Sequence, residues 1–525
     1  MKSITLFDSS LRDGAQAEGI SFSVNDKLEI VRALDAVGIH YIEAGNPASN
    51  PKELAFFEQA TALQLEQAKL CAFGSTRRKN ILPQDDDNCV ALLRANTPAV
   101  AIFGKSSLLH VEQILQTTAE ENLAMIKDTC AFFTAHGKEL IFDAEHFFDG
   151  YKLDADYAMQ SLQAAVDGGA AAICLCDTNG GAFPWEISDI VQTVCNAFPR
   201  ISVGIHAHND GDMATASSVA AVLAGASQVQ GTFLGFGERV GNACLAAIVP
   251  NLQLKLHYDC ISPAQMKQLT QTALHIASIA NTTVSKNTPF IGSNAFAHKA
   301  GMHVDGVRKL ARSFEHIDPA LVGNQRDFLI SEVTGKAAVL KRVRDVFPDT
   351  AADSIHIPEV LTRLKNREFD GYTYEGADAS FDLLIRAAIG NLPQFFELTS
   401  YTVLTEKPYS SEHSATATIK IRIDGQNEMV ITADEGEGPV NALDKALRKA
   451  LNPYYPVLKQ VELLDYKVRI MESSSGTDTK VRVLITSGDG ARTWTTVGVS
   501  HDIIEASWEA LVESIQYKLI EQKGE

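Results

Sequence analysis

Eight short apolar stretches, each ending near a polar residue and each followed by a longer segment, constrain this chain more than any other feature. They are Ser3–Asp8, His40–Gly45, Lys69–Gly74, Ala99–Gly104, Glu139–Glu145, Ala171–Asp177, Ser202–His208 and Gln228–Phe233. Their length and apolar character read as buried strands. The segments between them are amphipathic. Asn25–Val37 starts at a Ser/Asn cap and repeats Leu28, Val31, Leu34 and Val37 at helical spacing. Leu123–Ala135, Tyr157–Asp167, Trp185–Ala197 and Met213–Ala224 behave alike. Eight strand–helix repeats over roughly 250 residues predict a (β/α)8 TIM barrel. This assigns residues 1–260 to one barrel domain. An open doubly wound sheet is the competing arrangement.

The strand rhythm stops near residue 260. Residues 261–390 read as a helical linker and lid region, with helices expected over Ser262–Ala280, Ser331–Val346 and Glu359–Asn366. From 391 to 525 the character changes again. Thr416–Ile423 and Glu428–Ala433 alternate like paired strands and lead into a helix over Val440–Leu451. Lys467–Met471, Val481–Ser487 and Thr493–Val499 precede a second helix, Asp502–Ile520. Two β-β-α units predict a pseudo-symmetric α+β domain. A regulatory or dimerising role suits it, and a structural appendage is the plainer reading.

A chain of 525 residues suits several domains. Its formal net charge of −19 argues against nucleic acid as a partner. A local basic site for an anion remains open. The eight cysteines form no C-x-x-C pair and sit mostly in apolar runs. They read as buried free thiols of a reducing compartment. With no signal peptide and no membrane-length apolar run, the expected location is cytoplasmic.

In a barrel, chemistry gathers at the C-terminal ends of the strands. The polar residues predicted there are Arg12, Asp13, Glu43, Asp143, Glu145, Asp177, Thr178, His206, His208 and the loop Gly235–Asn242. His206 and His208 are two residues apart on a strand, so both imidazoles face one side. With Asp13 from the first strand they make a two-His, one-carboxylate set for a divalent cation, and Asn242 lies at the same rim. Two ordinary strand-end histidines are the alternative. Arg12 could hold a carbonyl or enolate oxygen as charge develops. Glu145 fits a metal-supporting or substrate-positioning role, and as readily the structural one of a capping residue. Thr178 could bond a substrate carboxylate, or simply serve a turn. The glycine-rich loop is a weak phosphate signal. Outside the barrel, the polar stretch Gly292–Gly306 carries His298 and His303. It could cover the barrel mouth as a lid, with His303 as a candidate general base. An ordinary loop histidine is the alternative.

These stretches together resemble the acetyl-CoA-dependent Claisen-condensing enzymes, the 2-isopropylmalate, homocitrate and citramalate synthases of the DRE-TIM metallolyase group. The pattern Leu11-Arg-Asp-Gly-x-Gln16 with Lys27 is similar to their first motif, and His206-Ala-His-Asn-Asp210 to their second. Gly237–Asn242, Gly292–Phe296 and Gly436–Val440 follow in the same order. Within the family the likeness is greatest to the long citramalate synthases. Its runs are Glu18–Val24, Ser49–Lys52, Phe103–Ser106, Cys176–Gly181 and Gly204–Asp210. The resemblance implies that acetyl-CoA and pyruvate become (R)-citramalate and CoA, the first step of a pyruvate route to isoleucine. A 2-isopropylmalate or other 2-alkylmalate synthase is the alternative, and a non-catalytic amino-acid sensor a further one. It also implies metal ligands Asp13, His206, His208 and Asn242, for Mg²⁺ or Mn²⁺, with Zn²⁺ as the softer choice. Arg12, Glu145 and Thr178 become the substrate-binding residues. Arg12, Glu145 and His303 become the catalytic ones. A homodimer inhibited by isoleucine is implied too. Two positions depart from the family pattern. Phe314 stands where relatives carry Tyr, and Asn46 where citramalate synthases tend to carry Trp.

Overall fold

The computed structural model describes residues 2–299, 301–328, 357–374, 376–405, 415–426, 428–471, 479–490 and 492–522. The expected helix over Ser331–Val346 lies outside the described residues. The chain forms two compact units, Met1–Ala297 with Glu315–Asp327, and His298–Phe314 with Phe328–Glu525. The boundary expected at residue 260 falls inside the first unit.

The first unit is a closed parallel barrel of β1 (Thr5–Asp8), β2 (Tyr41–Glu43), β3 (Lys69–Ser75), β4 (Ala99–Lys105), β5 (Glu139–Glu145), β6 (Ala172–Asp177), β7 (Ser202–Ala207) and β8 (Gln228–Gly231). β1 pairs with β8 as well as β2, so the open-sheet alternative is excluded. Each strand is buried by the barrel interior on one face and by helices on the other, which is why the strands read as nearly continuous apolar runs. β6, Ala-Ile-Cys-Leu-Cys-Asp, is buried at all six positions.

Local signals set the helix starts. Ser23 caps Val24–Ala36 with a reciprocal box, Asp26 N–H donating to Ser23 Oγ and Ser23 N–H to Asp26 Oδ2. Asn50, Asp86, Thr118 and Asp154 cap four further helices by a side-chain oxygen that accepts from a first-turn N–H. Ile30, Val31 and Leu34 lie on the buried face of the first helix. Lys27, part of the sequence motif, is buried there too. Its ammonium meets both oxygens of Glu53 at 2.6 and 2.7 Å and Ala44 O at 2.9 Å. It ties two helices to the end of β2 rather than facing the barrel mouth.

The second unit opens with a helix, Gly301–Lys309, and later continues with Ile357–Phe369 and Asp378–Ala388. Two antiparallel sheets follow, each with one long helix. Phe396–Thr405, Ala415–Ile423 and Met429–Gly436 precede the helix Pro439–Leu451. Glu462–Ile470, Val481–Gly488 and Thr493–Ser500 precede Ile503–Gln522. The α+β expectation holds, but the first of these two sheets has one strand more than its sequence pattern indicated. Phe396–Thr405 pairs along one edge and leaves most of its side chains partly or fully exposed. It therefore lacks the clean alternation of a strand with one dry face.

Candidate metal and substrate site

The C-terminal ends of β1, β5, β6 and β7 bring the expected rim residues around a cavity of about 240 Å³. Arg12, Asp13, Glu145, Thr178, His206 and His208 all line it. Asp13 follows β1, ahead of a short turn at Gly14–Gln16. His206 and His208 leave β7 on one face. Asp13 Oδ2 lies 3.5 Å from His206 Nε2 and 3.8 Å from His208 Nε2. The three side chains are buried and offer donors within 4.8 Å of one another.

Asn242 completes this corner through the glycine loop. His208 and Asn242 form a backbone bridge, and Asn209 N–H donates to Gly241 O at 2.9 Å. Gly241 has φ 97°, and a side chain at Gly237 would collide with the Asn242 amide. The glycines therefore let the loop fold tightly around Asn242. That backbone role accounts for them without a phosphate.

The orphaned atoms are informative. Asp13 Oδ1, His208 Nδ1 and Asn242 Oδ1 are buried without a hydrogen-bond partner. Unpaired buried polar atoms are costly, so several at one site indicate a missing partner. A divalent cation suits the carboxylate and amide oxygens and imidazole nitrogens gathered here.

Electrostatics agree. Burial opposes the Asp13 charge, yet Arg12, His206 and His208 outweigh it and hold the carboxyl well below its usual range. Burial, then His206, lowers His208 to about 4, leaving the imidazole neutral. A neutral imidazole is the ligand form. His206 is shifted the other way, because its burial is outweighed by its bond and attraction to Asp13, so a cation there would displace its proton.

Arg12 is tightly placed. Its Nε donates to Glu43 Oε2 at 2.6 Å and its Nη1 to Asp13 Oδ2 at 3.0 Å. Its guanidinium lies 3.8 Å over the Phe73 ring. Glu43 is also bonded by Ser9 Oγ. Thr178 Oγ1 accepts from His146 N–H at 2.8 Å, which leaves its own proton for another acceptor. Glu145 is ion-paired with Lys105 from the end of β4. Asp8 accepts from Ser10 N–H and Oγ–H, at 2.8 and 3.0 Å, and so locks the turn after β1. Asn46 accepts from Ala48 N–H at 2.9 Å in a turn after β2 and is not among the residues lining the cavity.

His303 belongs to the second unit, exposed on the helix Gly301–Lys309. Its ring stacks on Phe314 at 4.2 Å, and Gly306 makes room for that phenyl group. Sequence reasoning missed Lys105, Gln230 and the phenyl wall of Phe73 and Phe103. Lys105 carried a signal, as a basic residue at a strand's C-terminal end. Gln230 carried none.

Residues 3–279 match the HMGL-like family model. Residues 290–369 match the homocitrate synthase post-HMGL domain-like model, and 375–519 the LeuA allosteric (dimerisation) domain. Similar proteins include the (R)-citramalate synthase of Aquifex aeolicus, 48% identical over 99% of both chains. That of Geobacter sulfurreducens is 45% identical over 99% of this chain and 98% of its own. The chain belongs to the HMGL-like family, among its citramalate synthases. A probable 2-isopropylmalate synthase of Methanopyrus kandleri is more distant, 31% identical over 98% of this chain and 97% of its own. Among the described residues, no helix is long and apolar enough to cross a membrane.

Proposed function

We propose that this chain condenses acetyl-CoA with pyruvate to give (R)-citramalate and CoA. The observation that carries this is the Asp13–His206–His208 cluster with Arg12 on the same carboxylate, in a chain full-length similar to citramalate synthases. Asp13, His206, His208 and Asn242 would hold a divalent cation. That cation supplies Lewis acidity toward a 2-oxo acid's ketone and carboxylate.

The remaining roles belong to side chains. Arg12 is held by Glu43, Asp13 and Phe73 with its fork in one orientation. It donates to the ketone oxygen as that oxygen becomes an alkoxide. Thr178 donates its hydroxyl proton to the substrate carboxylate. Glu145, with Lys105 as its counter-ion, positions the substrate from the opposite wall. His303 takes the proton from the acetyl methyl as general base. Carbon–carbon bond formation is followed by hydrolysis of the thioester, which makes the sequence irreversible. Phe73 and Phe103, stacked at 5.4 Å, limit the space beside Arg12. A bulky phenyl wall favours a methyl substituent over a branched one.

The LeuA domain match supports a homodimer with a feedback effector, for which isoleucine is the candidate. The cytoplasm is the compartment that suits eight free thiols. The test is a panel of 2-oxo acids with acetyl-CoA, read by release of the CoA thiol. Pyruvate gives the highest kcat/KM if the reading is right. Preference for 2-oxoisovalerate would make the chain a 2-isopropylmalate synthase instead.

A further inference from the structure

The barrel interior holds a second set of donors that the condensation does not use. Asp143 on β5 and Cys174 on β6 are register neighbours. Cys176, two residues on, faces the same side of β6. A carboxylate oxygen and the two sulfurs lie within 4.8 Å of one another, and all three residues are buried. Asp143 and Cys176 also line the cavity, so the cluster is reached through the same mouth.

Asp143 keeps a second carboxylate oxygen beyond its bond to Gln230, and the two thiols bond to no charged group. Asp143 Oδ1 accepts from Gln230 Nε2 at 2.9 Å, and His206 and Arg12 lie near enough to favour its charge without bonding to it. The Cys176 thiol reaches Cys174 O at 3.8 Å, and the two thiols also meet each other. A carboxyl oxygen and two sulfurs converging on one buried point is the geometry of a three-donor site. The donor set differs in kind from Asp13, His206 and His208. Two sulfurs select soft cations, whereas oxygen-rich sites suit Mg²⁺ and Mn²⁺.

We propose that Asp143, Cys174 and Cys176 form a binding site for a thiophilic divalent cation of the Zn²⁺ or Cd²⁺ class, separate from the Asp13–His206–His208 centre. Ligation forms two metal–sulfur bonds and one metal–oxygen bond. It breaks two S–H bonds, whose protons pass to solvent, and no electron is transferred. Because Cys176 and Asp143 are part of the cavity wall, an ion there narrows the substrate space. A cation bound there then lowers turnover, whichever metal fills the Asp13–His206–His208 centre.

The test uses the full chain with Mg²⁺ in excess, titrated with Cd²⁺. The expected result is sulfur-to-cadmium charge-transfer absorbance that saturates at one Cd²⁺ per chain. Cys174→Ser loses the band, while Cys195→Ser and Cys89→Ser keep it. A band that persists in Cys174→Ser, or no band at all, overturns the proposal. X-ray absorption on the wild-type cadmium complex gives a reading that needs no variant. Two sulfur neighbours are expected, and a shell of nitrogen and oxygen alone overturns the site. Neither readout depends on which 2-oxo acid the protein consumes.

Discussion

Gln230 fixes the orientation of His206. Its Nε2 donates to Asp143 Oδ1 at 2.9 Å, and its Oε1 lies 3.1 Å from His206 Nδ1. An amide that donates to a carboxylate must accept with its oxygen. With Nδ1 committed to Gln230, Nε2 is the ring atom on the Asp13 side and the one available to a cation. A side chain that orients a ligand governs metal affinity without touching the metal.

Gln230→Leu should therefore weaken Mn²⁺ binding by about 10–100-fold. Calorimetric titration of the metal-free protein measures it. Unchanged affinity would show that His206 finds its orientation without Gln230. Removing metal with a chelator should abolish turnover, and adding Mn²⁺ back should restore it.

Arg12→Lys separates two roles. An ammonium keeps the charge beside Asp13 but cannot bridge Glu43 and Asp13 through a planar fork, nor lie flat on Phe73. Metal affinity should hold while kcat falls by about 10²–10³-fold, as for loss of an oxyanion donor. Steady-state kinetics alongside metal titration distinguishes this from general damage. Wild-type kcat in the variant would remove Arg12 from the chemistry.

Much of this site is legible from strand ends. Asp13, His206 and His208 follow apolar runs, and barrel closure alone brings such positions together. The Gly235–Asn242 loop was legible as unusual, but its reason lies in backbone crowding around Asn242. Gln230 was invisible because one Gln in a buried strand reads as a strand residue. Its partners are His206 and Asp143, on two other strands. Phe396–Thr405 was hidden for a different reason. With no face consistently dry, it lacks the alternation that marks a half-buried strand.

Lys27 belongs to stability rather than chemistry. Its ammonium and Glu53 are both largely buried, with side-chain exposures of 3% and 10%. Removing one partner strands the other charge inside the shell of helices. Lys27→Met should destabilise the barrel by about 3–5 kcal/mol. Denaturant unfolding measures it, and a loss near that of a surface pair would show that water reaches Glu53.

Glu513 sets a pH dependence in the second unit. It lies on Ile503–Gln522 and accepts from Ser380 Oγ, which itself accepts from Val497 N–H at 2.9 Å. Burial raises its pKa from 4.5 to about 8, with Glu509 adding to the rise and Arg367 and Ser380 opposing it. The folded chain thus keeps a proton that the unfolded chain has released between those two values. Stability from this group is greatest below the unfolded value. It falls as pH rises and reaches its full penalty above about 8. Glu513 lines a cavity, so solvent reduces the penalty to about 1–3 kcal/mol. Glu513→Gln keeps an acceptor for Ser380 and removes the titration. Its thermal midpoint should exceed that of the wild type at alkaline pH and match it at mildly acidic pH. Equal midpoints at both would mean that Glu513 is ionised in the folded protein at neutral pH.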